Sequence, residues 1–175
     1  AKVCYILTER GDLSIEFLAT TDQPTVVSMT THAFWNLTGK GTVDSHYLNL
    51  NTREFVATDE SFIPFDGPPK TAPALLDFRE LRRLERTKID HYFALSCDVW
   101  AAELWDPASG RKLRLVTDQP GLAIYSGDQL PEPRAGLCLQ PSGWPDAPNR
   151  VDFPSVRLDV GQLYRHVSTF SFTVD

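Results

Sequence analysis

Basic residues are in deficit in this chain: 17 Lys and Arg stand against 23 Asp and Glu, a formal net charge of −6 over 175 residues. Nucleic acid and anionic membrane surfaces would both repel such a chain, which argues against either as a partner. No apolar run approaches the roughly 18 residues needed to span a bilayer. The opening AKVCYILTERGD has neither the long apolar segment nor the cleavage site of a secretory leader, so the expected location is cytoplasmic. Cysteine is scarce. Cys4, Cys97 and Cys138 are odd in number, scattered and set in apolar strand-like runs, and read as reduced core residues. No His/Cys/Asp cluster has zinc spacing and no glycine loop fits a nucleotide phosphate, so neither a metal nor a cofactor is expected. Internal repeats and low-complexity runs are also missing.

What is present is an ordinary globular composition, 42% hydrophobic and 23% charged, in one domain spanning residues 1–175. A chain of this length buries roughly 70% of its unfolded surface. Residues 2–8 and 12–20 are rich in β-formers and flank Gly11, the pattern of a hairpin. Residues 25–37 predict a longer strand, 46–57 a strand bent midway, and 89–105 two strands or one bent one. The sequence DPASG at 106–110 is a strong turn signal leading into 111–117, where polar and apolar residues alternate. Further strands are expected at 121–127, 156–158 and 162–174. Residues 77–87 are the one helix the pattern supports, with Asp77 as N-cap and Glu80 three residues on. A proline-rich loop from Asp59 to Pro73 is long enough to be functional or to cover something. About ten strands and almost no helix predict an all-β, antiparallel β-sandwich.

The chain is organised around GLCLQPSGWPDAPN at 136–149. It begins as an apolar strand and breaks into a loop stiffened by Pro141, Pro145 and Pro148, which fix φ and remove backbone donors. Rigid loops at strand ends present polar side chains, here Gln140, Ser142, Asp146 and Asn149, beside the flat indole of Trp144. Flat aromatic surface next to fixed hydrogen-bonding groups suits a small polyol such as a sugar. The plainer alternative is a proline-rich surface turn.

Five segments in order resemble the aldose 1-epimerase (galactose mutarotase) family. THAFWNL at 31–37 resembles the family's Asn-His-x-Tyr-Phe-Asn-Leu, and LLDFR at 75–79 its Phe-Asp-[Leu/Phe]-Arg. IDHYFAL at 89–95 resembles Phe-Asp-His-Asn-Phe-x-Leu, and IYSGDQL at 124–130 resembles Phe-Tyr-Thr-Gly-Asn-Phe-Leu. LQPSGWPDAPN at 139–149 resembles Leu-Glu-Thr-Gln-x-[Phe/Trp]-Pro-Asp-x-x-Asn. The resemblance implies a β-supersandwich with a hexose in a cleft on its concave sheet and no cofactor. It implies acid–base ring opening, with a carboxylate taking the anomeric proton while a histidine protonates the ring oxygen. Carried over by position, the acid is His32, the base falls on Gln140, and the substrate ligands are Asp90, Trp144, Asn36 and Tyr125.

Two departures stand out. Glutamine at 140 keeps the shape of a glutamate but cannot accept a proton at neutral pH, and Ser142 replaces a usual glutamine. Family members also carry an upstream portion with an Arg and a second His of the site. The chain therefore reads as the C-terminal, incomplete part of the fold, covered by a complementary chain or a homo-oligomer. One reading is an isomerase whose site another polypeptide completes. A second is a sugar-binding pseudoenzyme, and a third redeploys the site on another substrate with a base such as Asp146. His91 should face away from Asp90, because adjacent strand residues point to opposite faces. His46, His166, Trp35 and the pair Asp77–Arg79 are expected to be structural, with Trp144 open to either role.

Overall fold

The computed structural model describes residues 1–96 and 100–174, and is built from antiparallel strands with no α-helix among the described residues. In chain order the first strands are β1 (Lys2–Leu7), β2 (Leu13–Ala19), β3 (Thr25–Val26), β4 (Phe34–Trp35), β5 (Tyr47–Leu50), β6 (Glu54–Val56), β7 (Lys70–Thr71) and β8 (Arg82–Arg83). There follow β9 (Asp90–Ala94), β10 (Ala102–Asp106), β11 (Arg111–Thr117), β12 (Gly121–Tyr125), β13 (Leu137–Ser142), β14 (Arg157–Leu158) and β15 (Tyr164–Val174). One sheet runs β1-β2-β15-β11-β10-β5-β8 and a second β4-β13-β12-β9-β6-β7, with β14 and β3 as a separate ribbon.

The all-β sandwich expected from the sequence is what forms. Alternation explains the core. Leu113 and Leu115 of β11, Leu104 of β10, Leu48 of β5 and Phe170 of β15 are fully buried from the first sheet. Leu122 and Ile124 of β12, Leu137 and Leu139 of β13 and Phe93 of β9 are buried from the second, and all ten belong to one contiguous cluster. At about 1.5–3 kcal/mol per fully buried side chain of this kind, this cluster is the main source of the fold's stability. The 106–110 turn joins β10 to β11 in register, with Gly110 at φ +69°. The strand expected at 46–57 bends so far that its halves, β5 and β6, lie in different sheets. The 89–105 region contributes two strands, β9 and β10, and Cys97 lies outside the described residues.

Two expectations are corrected. Residues 25–37 are not a continuous strand: only β3, paired with β14, and β4, paired with β13, are strands, and the stretch between them is irregular. Its backbone is held by side chains, the Met29 amide donating to the Tyr164 hydroxyl (3.1 Å) and the Met29 carbonyl lying 2.8 Å from His166 Nδ1. Residues 77–87 form no helix. Asp77 is extended, and its carboxylate pairs with Arg79 (2.7 Å) instead of capping. The Phe78 carbonyl accepts from the Leu50 amide and the Asn49 side chain, so it is unavailable to a helical ladder. Arg82 stacks its guanidinium over the Phe78 ring at 4.1 Å and donates to the Ala74 and Leu75 carbonyls. Phe78 and Leu84 of the segment still reach the core, fully buried from this irregular backbone.

The second sheet carries packing on its outer side as well. A smaller cluster of Val56, Tyr92, Ala147 and Phe153, joined by Ala123, Trp144 and Val156, covers one end of that face. Gly121 lets this happen: a Cβ there would sit 2.2 Å from Tyr92 Cε1, where the ring crosses β12 to donate to the Ser142 carbonyl (2.5 Å). The loop bearing Trp144 is thereby pinned over one end, and the other end stays open.

Candidate functional site

The open end lies where β13, β12 and β9 run side by side. Their register pairs Cys138 with Tyr125 and Tyr125 with Asp90, and one step along pairs Gln140 with Ala123 and Ala123 with Tyr92. Directly paired residues share a face, so Cys138, Gln140, Tyr125 and Asp90 all stand on the outer side. Phe34 of β4 pairs with Cys138 and extends the same row. Cys138 and Asp90 are two strand spacings apart, roughly 10 Å, and Gln140 lies roughly 7 Å along the strand from Cys138. His32, just before β4, joins the row from the side: its Nδ1 is 3.3 Å from Cys138 Sγ and its ring is tilted against Phe34 at 5.1 Å.

The row is polar groups on an aromatic floor. Phe34 meets Tyr125 edge-on at 6.0 Å, and the Tyr125 hydroxyl accepts the Gln129 amide (2.7 Å), which fixes the ring. Asp90 is exposed, yet neighbouring atoms remove part of its hydration and raise its pKa. His91 opposes that rise and the Asp128 charge adds to it. Asp128 is itself held by the Ser126 hydroxyl and by Arg134, whose guanidinium also reaches Asp44 and the carbonyls of Thr87 and Glu85. That buried hub fixes the loop between β12 and β13 and so the angle at which β13 enters. As the alternation requires, His91 points the other way, toward Phe55 (6.1 Å), and burial lowers its pKa.

The remaining sequence candidates are placed elsewhere. Asn36 does not face the row: its amide donates to the carbonyls of Lys40, Gly41 and Ala135 and accepts the Thr38 amide, so it is committed to closing its own loop. Trp144 packs edge-on against Phe153 (4.9 Å) and donates its indole N–H to the Pro120 carbonyl (2.8 Å), which makes it a wall of the covered end. Asp146 is unsuited to act as a base. Asn149 and Arg150 both bind its carboxylate and hold its pKa below the ordinary value, and Arg150 bridges on to Asp66 and the Pro64 carbonyl of the proline loop. Strand β13 continues through Pro141 and Ser142, so the rigid loop begins at Gly143. His46 is buried with Nε2 accepting the Leu37 amide (2.9 Å), and His166 is buried between Met29 and Ser168 and stacked on Phe17. Trp35 packs on Phe170 and Phe172.

Sequence reasoning did not single out Cys138 as a partner of His32. The signal was there, since Cys138 is two residues before Gln140 and period-two alternation puts both on one face. A separate cleft of about 660 Å³ lies between the β3–β14 ribbon and the 147–157 stretch, lined by Val26, Pro148, Phe153 and Val156. Its arginines are occupied, Arg150 by Asp146 and Asp66 and Arg157 by Asp159.

An antiparallel two-sheet sandwich bearing a histidine, a carboxylate and an amide in one row defines a protein with acid–base or hydrogen-bonding capacity on an open sheet face. Comparison with known proteins gives the family. Residues 1–171 match the aldose 1-epimerase family, and the chain belongs to it. It is 30% identical over 195 residues to a galactose mutarotase of Bos taurus, covering 98% of this chain and 57% of the relative. It is 31% identical over 203 residues to an aldose 1-epimerase of Escherichia coli (strain K12), covering 100% and 59%. A solved GalM/aldose epimerase homologue from C. elegans superposes with a TM-score of 0.91 at 28% identity, over 98% of this chain and 59% of that one. The chain thus spans under two thirds of the length of these relatives.

The raised pKa of Asp90 makes a pH prediction. With its folded pKa above the unfolded 3.8, this group adds stability that is full at low pH and is lost as pH rises through the folded value. Asp90→Asn removes that slope. Urea midpoints compared between about pH 4 and 7 should show the variant gaining on the unaltered protein as pH rises. A difference independent of pH would contradict the placement.

Proposed function

We propose that this chain binds a hexose on the open face of its second sheet and forms part of an aldose 1-epimerase-type site. The observation that carries the proposal is the single row of His32, Tyr125 and Asp90 with Gln140 one step along, over the Phe34 and Tyr125 rings. A pyranose has apolar faces and hydroxyls around its rim, and such a floor with a few fixed polar groups is complementary to it. His32 is the acid at the ring oxygen, and Asp90 binds a hydroxyl. Gln140 occupies the base position and can only orient the anomeric hydroxyl, because an amide takes no proton at neutral pH. Anomers then interconvert where another chain supplies the base.

The second reading is a sugar binder without turnover. It is favoured by Gln140 and by the tethering of Asp146, which leaves that carboxylate no part in proton transfer. Polarimetry separates the two. A positioned general base contributes about 10²–10⁴-fold in rate, so the unaltered chain should mutarotate galactose or glucose slowly or not at all, and Gln140→Glu should restore a substantial part of that factor. A fast unaltered protein, indifferent to Gln140→Glu, would remove position 140 from the chemistry.

A covering partner, either a complementary chain or a second copy, belongs to the same proposal. Strand β1 ends the first sheet with apolar side chains exposed on both faces, Val3, Tyr5 (67%) and Leu7 (75%) on one and Ile6 (50%) on the other. An open apolar edge of this kind pairs readily with other polypeptide. Light scattering should report a mass above the monomer; a well-behaved lone monomer that melts sharply would contradict the partner. A cytoplasmic location accords with the free thiols of Cys4 and Cys138, which suit a reducing compartment.

A further inference from the structure

We infer that Cys138 is a positioning residue that decides which nitrogen of His32 carries the proton, leaving Nε2–H as a donor on the open face. The carrying contact is the 3.3 Å separation between Cys138 Sγ and His32 Nδ1. Cys138 is fully buried in β13, whereas His32 is exposed, so one ring nitrogen meets the sheet and the other is left for the open side.

Two tautomers are open to a neutral imidazole in this contact. If Nδ1 carried the proton, its N–H would point at a thiol sulfur, a weak acceptor, and the buried S–H would gain nothing from its polar neighbour. If Nδ1 carries the lone pair, the S–H donates to a good sp² acceptor and both groups are satisfied. The thiol keeps its proton for this role, since burial pushes its pKa up to about 12. The second arrangement therefore wins, and Nε2 bears the hydrogen. This is the reverse of the common orientation, in which a carbonyl or carboxylate accepts Nδ1–H and leaves Nε2 as a base or metal ligand. A thiol at this place makes His32 a donor. Phe34, tilted against the ring at 5.1 Å, restricts its rotation.

The inference rests on the proposed sugar site only for what Nε2–H meets, namely an oxygen of the bound hexose. Its core is a statement about the free protein and is tested there. Long-range 1H–15N correlation spectra of the imidazoles, recorded near pH 8 and so above the ordinary histidine titration range, distinguish the tautomers directly. The unaltered protein should show His32 with a protonated Nε2 and an unprotonated Nδ1. Cys138→Ser keeps a donor and should preserve the pattern, whereas Cys138→Val should drive the two nitrogen shifts toward each other as the tautomers mix. A protonated Nδ1 in the unaltered protein would overturn the inference, as would an unchanged pattern in Cys138→Val; the first result needs no variant to fold. With galactose, Cys138→Val should weaken binding by about 3–10-fold and Cys138→Ser should not, the range expected for one hydrogen bond. Galactose failing to bind the unaltered protein would remove the sugar site while leaving the tautomer result standing.

Discussion

The pairing of β12 with β9 on one side and β13 on the other is the constraint on which both the core and the candidate site depend. Side chains alternate along a strand, so one register decision assigns every residue of three strands to a face. The observed register sends Leu122, Ile124, Leu137, Leu139 and Phe93 inward, all of them fully buried. Slipping β13 by one residue would expose Leu137 and Leu139 and bury Gln140, at a cost on the order of several kcal/mol from lost burial alone. The polar row is thus positioned by hydrophobic burial on the opposite side of the same strands, and no polar contact within the row is needed to place it.

A second set of interactions determines which part of that outer face stays open. Tyr92 crosses over Gly121 to the Ser142 carbonyl, Trp144 is fixed by the Pro120 carbonyl, and Asp146 with Arg150 ties the loop to residues 64–66. These contacts close one end of the face around an apolar cluster, leave His32, Tyr125 and Asp90 at the other, and put Gln140 at the boundary beside Ala123. The chemistry left there is that of donors and acceptors. Asp90 is the carboxylate of the row, partly desolvated, and the thiol of Cys138 engages the inner nitrogen of His32.

Much of this was legible in the residues. Period-two alternation and turn chemistry suffice for the β10–β11 hairpin and for the opposite facing of Asp90 and His91, since both depend on local geometry alone. Residues 25–37 misled because β-forming composition cannot reveal that the partner of a backbone group is a side chain, here Tyr164 and His166 from about 135 residues away. Residues 77–87 misled because helix-favouring charged residues carry no record of the Asn49 and Leu50 groups that claim the Phe78 carbonyl. In the site, His32 and Gln140 were read from motif position, but the loop-closing bonds of Asn36 and the packing of Trp144 are tertiary contacts. Motif resemblance marks a residue's place in the chain, and only the fold shows whether its hydrogen bonds are already taken.

The central claim is that a sugar meets the outer row of β13, β12 and β9. Backbone amide shift mapping during a galactose titration tests it most directly, because it needs neither turnover nor a variant. The account predicts that the perturbed amides cluster at Cys138–Gln140, around Tyr125, at Asp90 and at His32 to Phe34. Perturbations centred on Val26, Pro148's neighbours and Phe153 to Arg157, in the cleft beside the β3–β14 ribbon, would contradict it.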